Sequence, residues 1–397
     1  MEMFDSQIKI GKHIVGYVAE AFTNRFDGIP TLIKSPGRVN IIGEHVDYND
    51  GFVLPATINK HVVFAIAAND TSVVNLVSLD LGEKESIDLN NLQIPPKYQW
   101  TKYIQGALLE LGERGYSVAG FDVVFGGNIP IGAGVSSSAA LEGGLLTGLS
   151  HLFSLDITKK EIAMMGKDIE HNHIGVQCGI MDQFINVYGQ KDGILKLDCR
   201  DLSYDILPFE NRDVAIVLCN SMVSHNLYTT QYNKRRKQCA EAVSYFKKFD
   251  PQIKKLRDVS IELFNSKGKG LSPDIQKRTK FVIEEIERVH TASDLILSGE
   301  IDSLGEKLIE SHLGLSKEYE VSCLELDLLV DIAVKQNGVL GARMMGGGFG
   351  GCTLNLVMDD SVESFKETIT DKYRSKTQID PELYVMKIDE GVHIIEG

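Results

Sequence analysis

Between Ser35 and Tyr48 the chain reads Ser-Pro-Gly-Arg-Val-Asn-Ile-Ile-Gly-Glu-His-Val-Asp-Tyr. Arg38, Glu44, His45 and Asp47 thus crowd one short stretch. A polyhydroxylated ligand calls for such a set. Each of its hydroxyls both donates and accepts, and a buried hydroxyl left unpaired costs binding energy. Carboxylates accept from hydroxyls, and an arginine neutralises a phosphate or positions a carboxylate. By composition alone, a surface turn with a few ion pairs is an equal alternative.

A second segment, Gly126 to Ala140, places Gly132 and Gly134 before Ser136, Ser137 and Ser138, and the serines open a helix expected over Ser137–Phe153. Free backbone N–H groups and the positive end of a helix dipole make this an anion site. The lysine of G-x-x-x-x-G-K-[ST] is missing, so the segment is not a Walker A loop. A glycine turn with a serine cap is commoner in general, but three serines after two spaced glycines favour phosphate. In a third segment Gly346, Gly348 and Gly351 formally match G-x-G-x-x-G. A dinucleotide fingerprint opens a helix, whereas Cys352–Met358 reads as a strand. Taken alone this is a tight hairpin, although a loop so free of side chains lets its backbone approach a ligand. Between these segments His171, His173 and Cys178 suggest zinc only weakly, since no fourth ligand follows at metal spacing. Asp182 lies near Gly179 in an otherwise apolar stretch. It is either a helix N-terminal residue or a catalytic group.

The elements that position these segments follow from periodicity. His61–Asn69 and Ser72–Leu79 read as paired strands, and Phe121–Phe125 as another. A helix begins at Thr158, where Thr158 and Glu161 have capping-box spacing. Beyond Asn226 helices dominate, with Arg278–Leu297 and Ile301–Tyr319 amphipathic. Strands flank the glycine loop across Val339–Met358, and a helix over Phe365–Lys376 and a strand over Leu383–Ile388 close the chain. This order predicts an α+β fold rather than a doubly wound sheet. The pattern changes near Leu197–Asn211, which divides the chain into residues 1–200 and 201–397.

At 397 residues, with 43% apolar and 24% charged residues, the composition is that of a globular protein of two to three domains. A net charge of -14 argues against a nucleic-acid backbone or an anionic membrane as the main partner. The cysteines form no C-x-x-C pair, which suits a reducing compartment. Met1–Ile10 carries no secretory signal and no apolar run reaches spanning length. The expectation is a cytoplasmic protein, with a monomer as the default reading of an oligomeric state that is not legible.

Taken in order, these segments resemble the galactokinase branch of the GHMP small-molecule kinases. Gly37–Tyr48 resembles the sugar signature of that branch, Pro130–Ala140 the GHMP ATP-binding motif, and Gly346–Gly351 the third motif. Cys178–Phe184, and Tyr232 with Arg235, Arg236, Gln238 and Cys239, fit as well. Ala133 stands where many members carry a third glycine. The similarity spans nearly the whole chain. It implies an N-terminal half like ribosomal protein S5 domain 2, a ferredoxin-like C-terminal half and a cleft between them. It implies transfer of the γ-phosphate of ATP to the anomeric hydroxyl of D-galactose, a first step in galactose catabolism. Arg38, Glu44, His45, Asp47, Gly179, Asp182 and Tyr232 would surround the sugar. Gly132, Gly134, Ser136, Ser137 and Ser138 would hold the phosphates, and Ser138 and Glu170 would sit near Mg²⁺. Phosphoryl transfer is mostly positioning and charge stabilisation. Asp182 is expected to orient the hydroxyl and take its proton late in a loose transition state, with Arg38 as its positioner and a charge stabiliser. Sister kinases acting on N-acetylgalactosamine, arabinose or galacturonate share these motifs. A non-catalytic regulator would show deletions in the Ser-rich loop, and Ser136–Ala140 is intact. A plain nucleotide-binding protein leaves Arg38–Tyr48 unexplained.

Overall fold

The computed structural model describes residues 14–130, 132–210, 213–224 and 228–395. The signal-free reading of Met1–Ile10, Ile131 of the Ser-rich segment, Asn211 of the expected boundary and Asn226 lie outside these residues. The described strands are β1 (Thr31–Asn40), β2 (Phe52–Val53), β3 (Pro55–Ala68), β4 (Val73–Ser78), β5 (Glu83–Asp88), β6 (Phe121–Gly127), β7 (Gly193–Asp198), β8 (Tyr204–Pro208), β9 (Val214–Ser224), β10 (Val339–Met344), β11 (Gly350–Met358), β12 (Glu382–Met386) and β13 (His393–Ile394). The helices are α1 (Ile14–Thr23), α2 (Thr101–Glu113), α3 (Ser137–Leu152), α4 (Lys159–Ile169), α5 (Met181–Tyr188), α6 (Tyr228–Phe246), α7 (Ile261–Lys267), α8 (Pro273–Ser298), α9 (Ile301–Leu313), α10 (Leu324–Ala333) and α11 (Val362–Thr377). The fold is α+β.

Six strands form the first sheet in the order β13-β1-β3-β6-β4-β5. Here the structure departs from the sequence expectation. His61–Asn69 and Ser72–Leu79 form strands but do not pair, because β6 lies between them, antiparallel to β3 and parallel to β4. The reason is burial. Every residue of β6 is buried, so both of its edges need a strand. Asp122 on β6 fixes the arrangement by accepting from Asn69 Nδ2 at 2.8 Å and from Asn75 Nδ2 at 2.7 Å.

Helix α3 presses onto β1 and β3. A Cβ at Gly144 would collide with the Phe64 ring, so the small residues of α3 set this close approach. The expected capping box at Thr158 and Glu161 opens α4. The second sheet, β10-β11-β9-β12, is antiparallel. One face packs Leu329, Val330, Phe365 and Ile369 from α10 and α11. The other joins Leu304 and Leu308 of α9 to Ile41, Ile42 and Ala56 of the N-terminal half in one core. The helix expected over Ile301–Tyr319 ends early. The α-helix stops at Leu313 and a π turn runs from Gly314 to Glu318. Gly314 lies so close to Phe281 that a Cβ would strike the ring, and the wider turn swings Tyr319 fully inside. Among the described residues no helix is long and apolar enough to cross a membrane.

Candidate active site

Two neighbouring cavities meet at Arg38, Asp182 and Gly347. The larger, about 330 Å³, is lined by Gly132, Gly134, Ser136, Ser137 and Ser138 on one side and by the Gly347–Gly351 loop on the other. Ser136 stands at the N-terminal edge of α3 in the left-handed region, φ 61°. The turn at Gly132 and Gly134, φ +76° and +72°, delivers the chain to that point. The third motif is a hairpin loop between β10 and β11, as its sequence suggests. It also walls this cavity, the place where its backbone would meet a ligand. Phe349, at φ 58°, anchors the loop by donating its N–H to Val321 O at 2.7 Å.

The smaller cavity is lined by Arg38, Glu44, His45, Asp47, Gly179, Asp182 and Tyr232, with Cys178, Met181, Gly346 and Gly347. Every residue expected at the sugar is therefore brought together. The stretch Ser35–Val46 is buried throughout, which removes the surface-turn alternative. Arg38 leaves β1 where its register against β3 shifts between Pro36 and Arg38. Its Nε and one terminal nitrogen donate to the two Asp182 oxygens at 2.8 Å each. The other terminal nitrogen donates to Gly134 O at 2.6 Å. This planar fork is the strong, geometrically specific form of the pair. The Ser136 hydroxyl donates to Asp182 as well. Asp182, in the first turn of α5, thus lies at the wall common to both cavities.

The remaining groups are held from behind. Glu44 Oε1 accepts from Arg343 at 3.0 Å and from Gly346 N at 2.8 Å. Asp47 opens a 3₁₀ turn and packs its carboxyl onto Gly179, where a Cβ would overlap it. Burial, with the Asp182 charge adding to it, pushes the Asp47 carboxyl up to about 6. Burial pushes the His45 imidazole down to about 3, against the opposing bond to Gly347. Tyr232 on α6 places its ring 5.3 Å from that of His45.

Glu170 lines neither cavity. It opens a π turn, Glu170–Ile174, that follows α4, and is only 6% exposed. Its Oε2 and Glu142 Oε1 are buried oxygens with no hydrogen-bond partner. Burial pushes the Glu170 carboxyl up to about 7, with Ser138 hydrogen bonding against the rise and Asp182 adding to it. Uncompensated buried carboxyls beside a serine hydroxyl fit a hard divalent cation, which takes few protein oxygens and keeps water and phosphate ligands. Among the described residues no group of three His, Cys, Asp or Glu side chains could hold a metal ion. The zinc candidates are engaged elsewhere: His171 Nε2 faces Cys178 O at 2.8 Å and His173 Nε2 faces Glu110 Oε1 at 3.2 Å.

Sequence reasoning missed Arg343, Tyr319 and Glu142. Arg343 is a lone charge in the apolar run before a glycine loop, and that anomaly was the available signal. Glu142 is likewise a lone charge in the small, apolar run Ser137–Leu152, whereas Tyr319 carried no signal.

Two sheets meeting at a cleft, a Ser-rich loop opening a helix and a facing glycine hairpin define a small-molecule kinase of the GHMP class. Models of the GHMP kinases N-terminal and C-terminal domains match residues 102–190 and 292–375. The galactokinase galactose-binding signature matches residues 20–68. A galactokinase from Roseiflexus sp. (strain RS-1) is 35% identical over 95% of this chain and 96% of that protein. The crystal structure of Lactococcus lactis galactokinase complexed with galactose superposes with a TM-score of 0.91 at 33% identity, covering 97% of this chain and 99% of that one. A mevalonate kinase shares the fold alone, with a TM-score of 0.64 at 18% identity over 90% of this chain and 99% of that one. The chain belongs to the galactokinase family.

Proposed function

We propose that the smaller cavity binds D-galactose and the larger one ATP, and that the γ-phosphoryl group passes to the anomeric hydroxyl at the wall they share. The products are galactose 1-phosphate and ADP. The observation that carries this reading is the Arg38–Asp182 fork at that wall. Glu44, His45, Asp47, Gly179 and Tyr232 surround the sugar, and Gly132, Gly134, Ser136, Ser137 and Ser138 hold the phosphates. Ser138 and Glu170 would hold Mg²⁺, which neutralises phosphate charge when bound. Asp182 orients the hydroxyl, held in place by Arg38 and Ser136. Because the transition state is loose, the proton leaves late, after the bond to ADP is largely broken. Asp182 is then the acceptor and Arg38 stabilises the developing charge. The six cysteines are free, in keeping with a reducing, cytoplasmic compartment, and the net charge of -14 favours small-molecule substrates over a nucleic-acid backbone or an anionic membrane.

The test is ADP release with galactose, N-acetylgalactosamine, arabinose, galacturonate and glucose in parallel. Glucose differs from galactose only at the 4-hydroxyl. A site that hydrogen-bonds a hydroxyl rejects the wrong analogue by about 10⁴-fold or more. Galactose should therefore lead by a wide margin, and efficient use of glucose or a sister sugar would overturn the substrate assignment.

A further inference from the structure

His45 is buried in the left-handed region, φ 63°. The rings of Tyr48, Tyr232 and Tyr319 box its own at centroid distances of 5.9, 5.3 and 5.0 Å. Its Nε2 faces Gly347 O at 3.2 Å and its Nδ1 faces the Tyr48 hydroxyl at 2.8 Å. A carbonyl oxygen only accepts, so Nε2 carries the proton and Nδ1 is the acceptor. The reverse tautomer would aim a lone pair at the carbonyl.

The order of the remaining protons follows. The Tyr48 O–H donates to Nδ1, so the Tyr48 oxygen accepts from the Tyr319 O–H at 2.9 Å. The Tyr319 oxygen accepts from the Cys239 S–H at 3.2 Å. The Cys239 sulfur receives an Asn49 N–H at 3.6 Å, and the same Asn49 nitrogen donates to the His45 carbonyl at 3.0 Å. The chain closes on the residue where it began. Burial keeps the Tyr48, Tyr319 and Cys239 protons on, pushing all three groups up from their ordinary values. Tyr48, Tyr319, Cys239 and Asn49 line neither cavity.

We infer that Tyr48, Tyr319 and Cys239 are positioning residues that, together with the Gly347 carbonyl, hold His45 as the Nε2–H tautomer, so that its Nε2 is solely a hydrogen-bond donor. A sugar hydroxyl meeting that nitrogen must accept there, sharing the one N–H with Gly347 O, which leaves its own hydrogen for one of the carboxylates beside it. With the other tautomer the hydroxyl would face acceptors only, and its single hydrogen could satisfy one of them. Residues that do not line the sugar cavity thereby set hydroxyl polarity within it. This rests on His45 contacting the sugar, as proposed above.

The test uses the full chain labelled with ¹⁵N-histidine, with the His45 signals assigned by their loss in His45→Gln. Wild type should show a protonated Nε2 and a bare Nδ1, and Tyr48→Phe should mix the tautomers. Losing one hydrogen bond behind the ring should raise the galactose KM of Tyr319→Phe about three- to tenfold. Its kcat and ATP KM should stay within about twofold. Cys239→Ala should follow Tyr319→Phe, whereas Cys239→Ser, which keeps a donor, should restore wild-type KM. An Nδ1–H tautomer or an imidazolium in wild type overturns the inference, as does an unchanged galactose KM in both Tyr319→Phe and Cys239→Ala. If Tyr319→Phe does not fold, the wild-type spectrum and the Cys239 pair decide. An unchanged galactose KM in His45→Ala would instead remove His45 from the sugar, and the tautomer would still be read independently.

Discussion

Arg38 binds Asp182 with two of its nitrogens and Gly134 with the third, so one side chain joins β1, the Ser-rich loop and α5. Asp182→Asn keeps the shape but puts an amide nitrogen against one arm of the fork and removes the carboxylate proposed to accept the proton. The variant should fold, because Asp182 is 30% exposed and water can replace part of the lost pairing. Its kcat should fall by at least about 10²- to 10⁴-fold, the usual worth of a positioned acid or base. A kcat within threefold of wild type, measured as galactose-dependent ADP release, would remove Asp182 from the chemistry. Asp47 makes the opposite case, a group held at a cost to the ligand-free fold. Its carboxyl is raised to about 6 in the folded protein, chiefly by burial, from an ordinary value of 3.8. As pH rises from about 4 to 6, the unfolded chain ionises Asp47 while the folded one resists, so the fold loses stability and the loss levels off above about 6. Asp47→Asn should therefore stabilise the ligand-free protein at pH 7.5, by at most about 3 kcal/mol, and confer almost nothing near pH 4. Urea melts at the two pH values measure this. The same variant should bind galactose more weakly in calorimetry.

At the scale of elements, β10 does more than complete the second sheet. Its Arg343 is fully buried and spends its N–H groups on Ile41 O, Asn40 O, Met344 O and Glu44. One strand thus clamps the end of β1 and the Glu44 carboxylate of the smaller cavity together. Replacing it with methionine would leave Glu44 as a buried charge without its cation. Breaking one side of such a pair costs about 3–5 kcal/mol. Arg343→Met should lose about that much in urea unfolding, and adding Glu44→Gln should recover part of it. Additive losses in the double variant would show that the two side chains are not coupled. The two π turns act in the same spirit. Each widens the end of a helix and moves one residue inward, Glu170 after α4 and Tyr319 after α9. A π turn at a functional site is a recurring device.

Across the whole molecule, the cleft is assembled from both halves, yet its two cavities have separate linings apart from Arg38, Asp182 and Gly347. Binding at one should survive damage to the far wall of the other. Ser138→Ala and Glu170→Gln should each raise the Mg²⁺ concentration needed for half-maximal activity. Galactose affinity measured by calorimetry without nucleotide should stay within about twofold, since neither residue lines the smaller cavity. Loss of galactose binding in either variant would relocate the metal site. The C-terminal end also belongs to the frame that holds Arg38. It returns to pair β13 with β1, and Asp389 accepts from Lys34 at 2.9 Å and lies 2.9 Å from His61 Nε2.

Features written within a few residues were legible in the sequence. Arg38 to Tyr48 could be read as one chemical group, the serines after Gly134 as the start of a helix, and Thr158 with Glu161 as a cap, because each rests on local spacing and local backbone geometry. Pairings between distant segments were not. Arg343 meets Glu44 across 299 positions, and Tyr319 meets Tyr48 across 271. β6 enters between two strands that are adjacent in sequence. No local propensity encodes such contacts. They arise when buried strands must satisfy both edges and when buried polar groups must find partners, and only the closed tertiary structure determines which partners lie within reach.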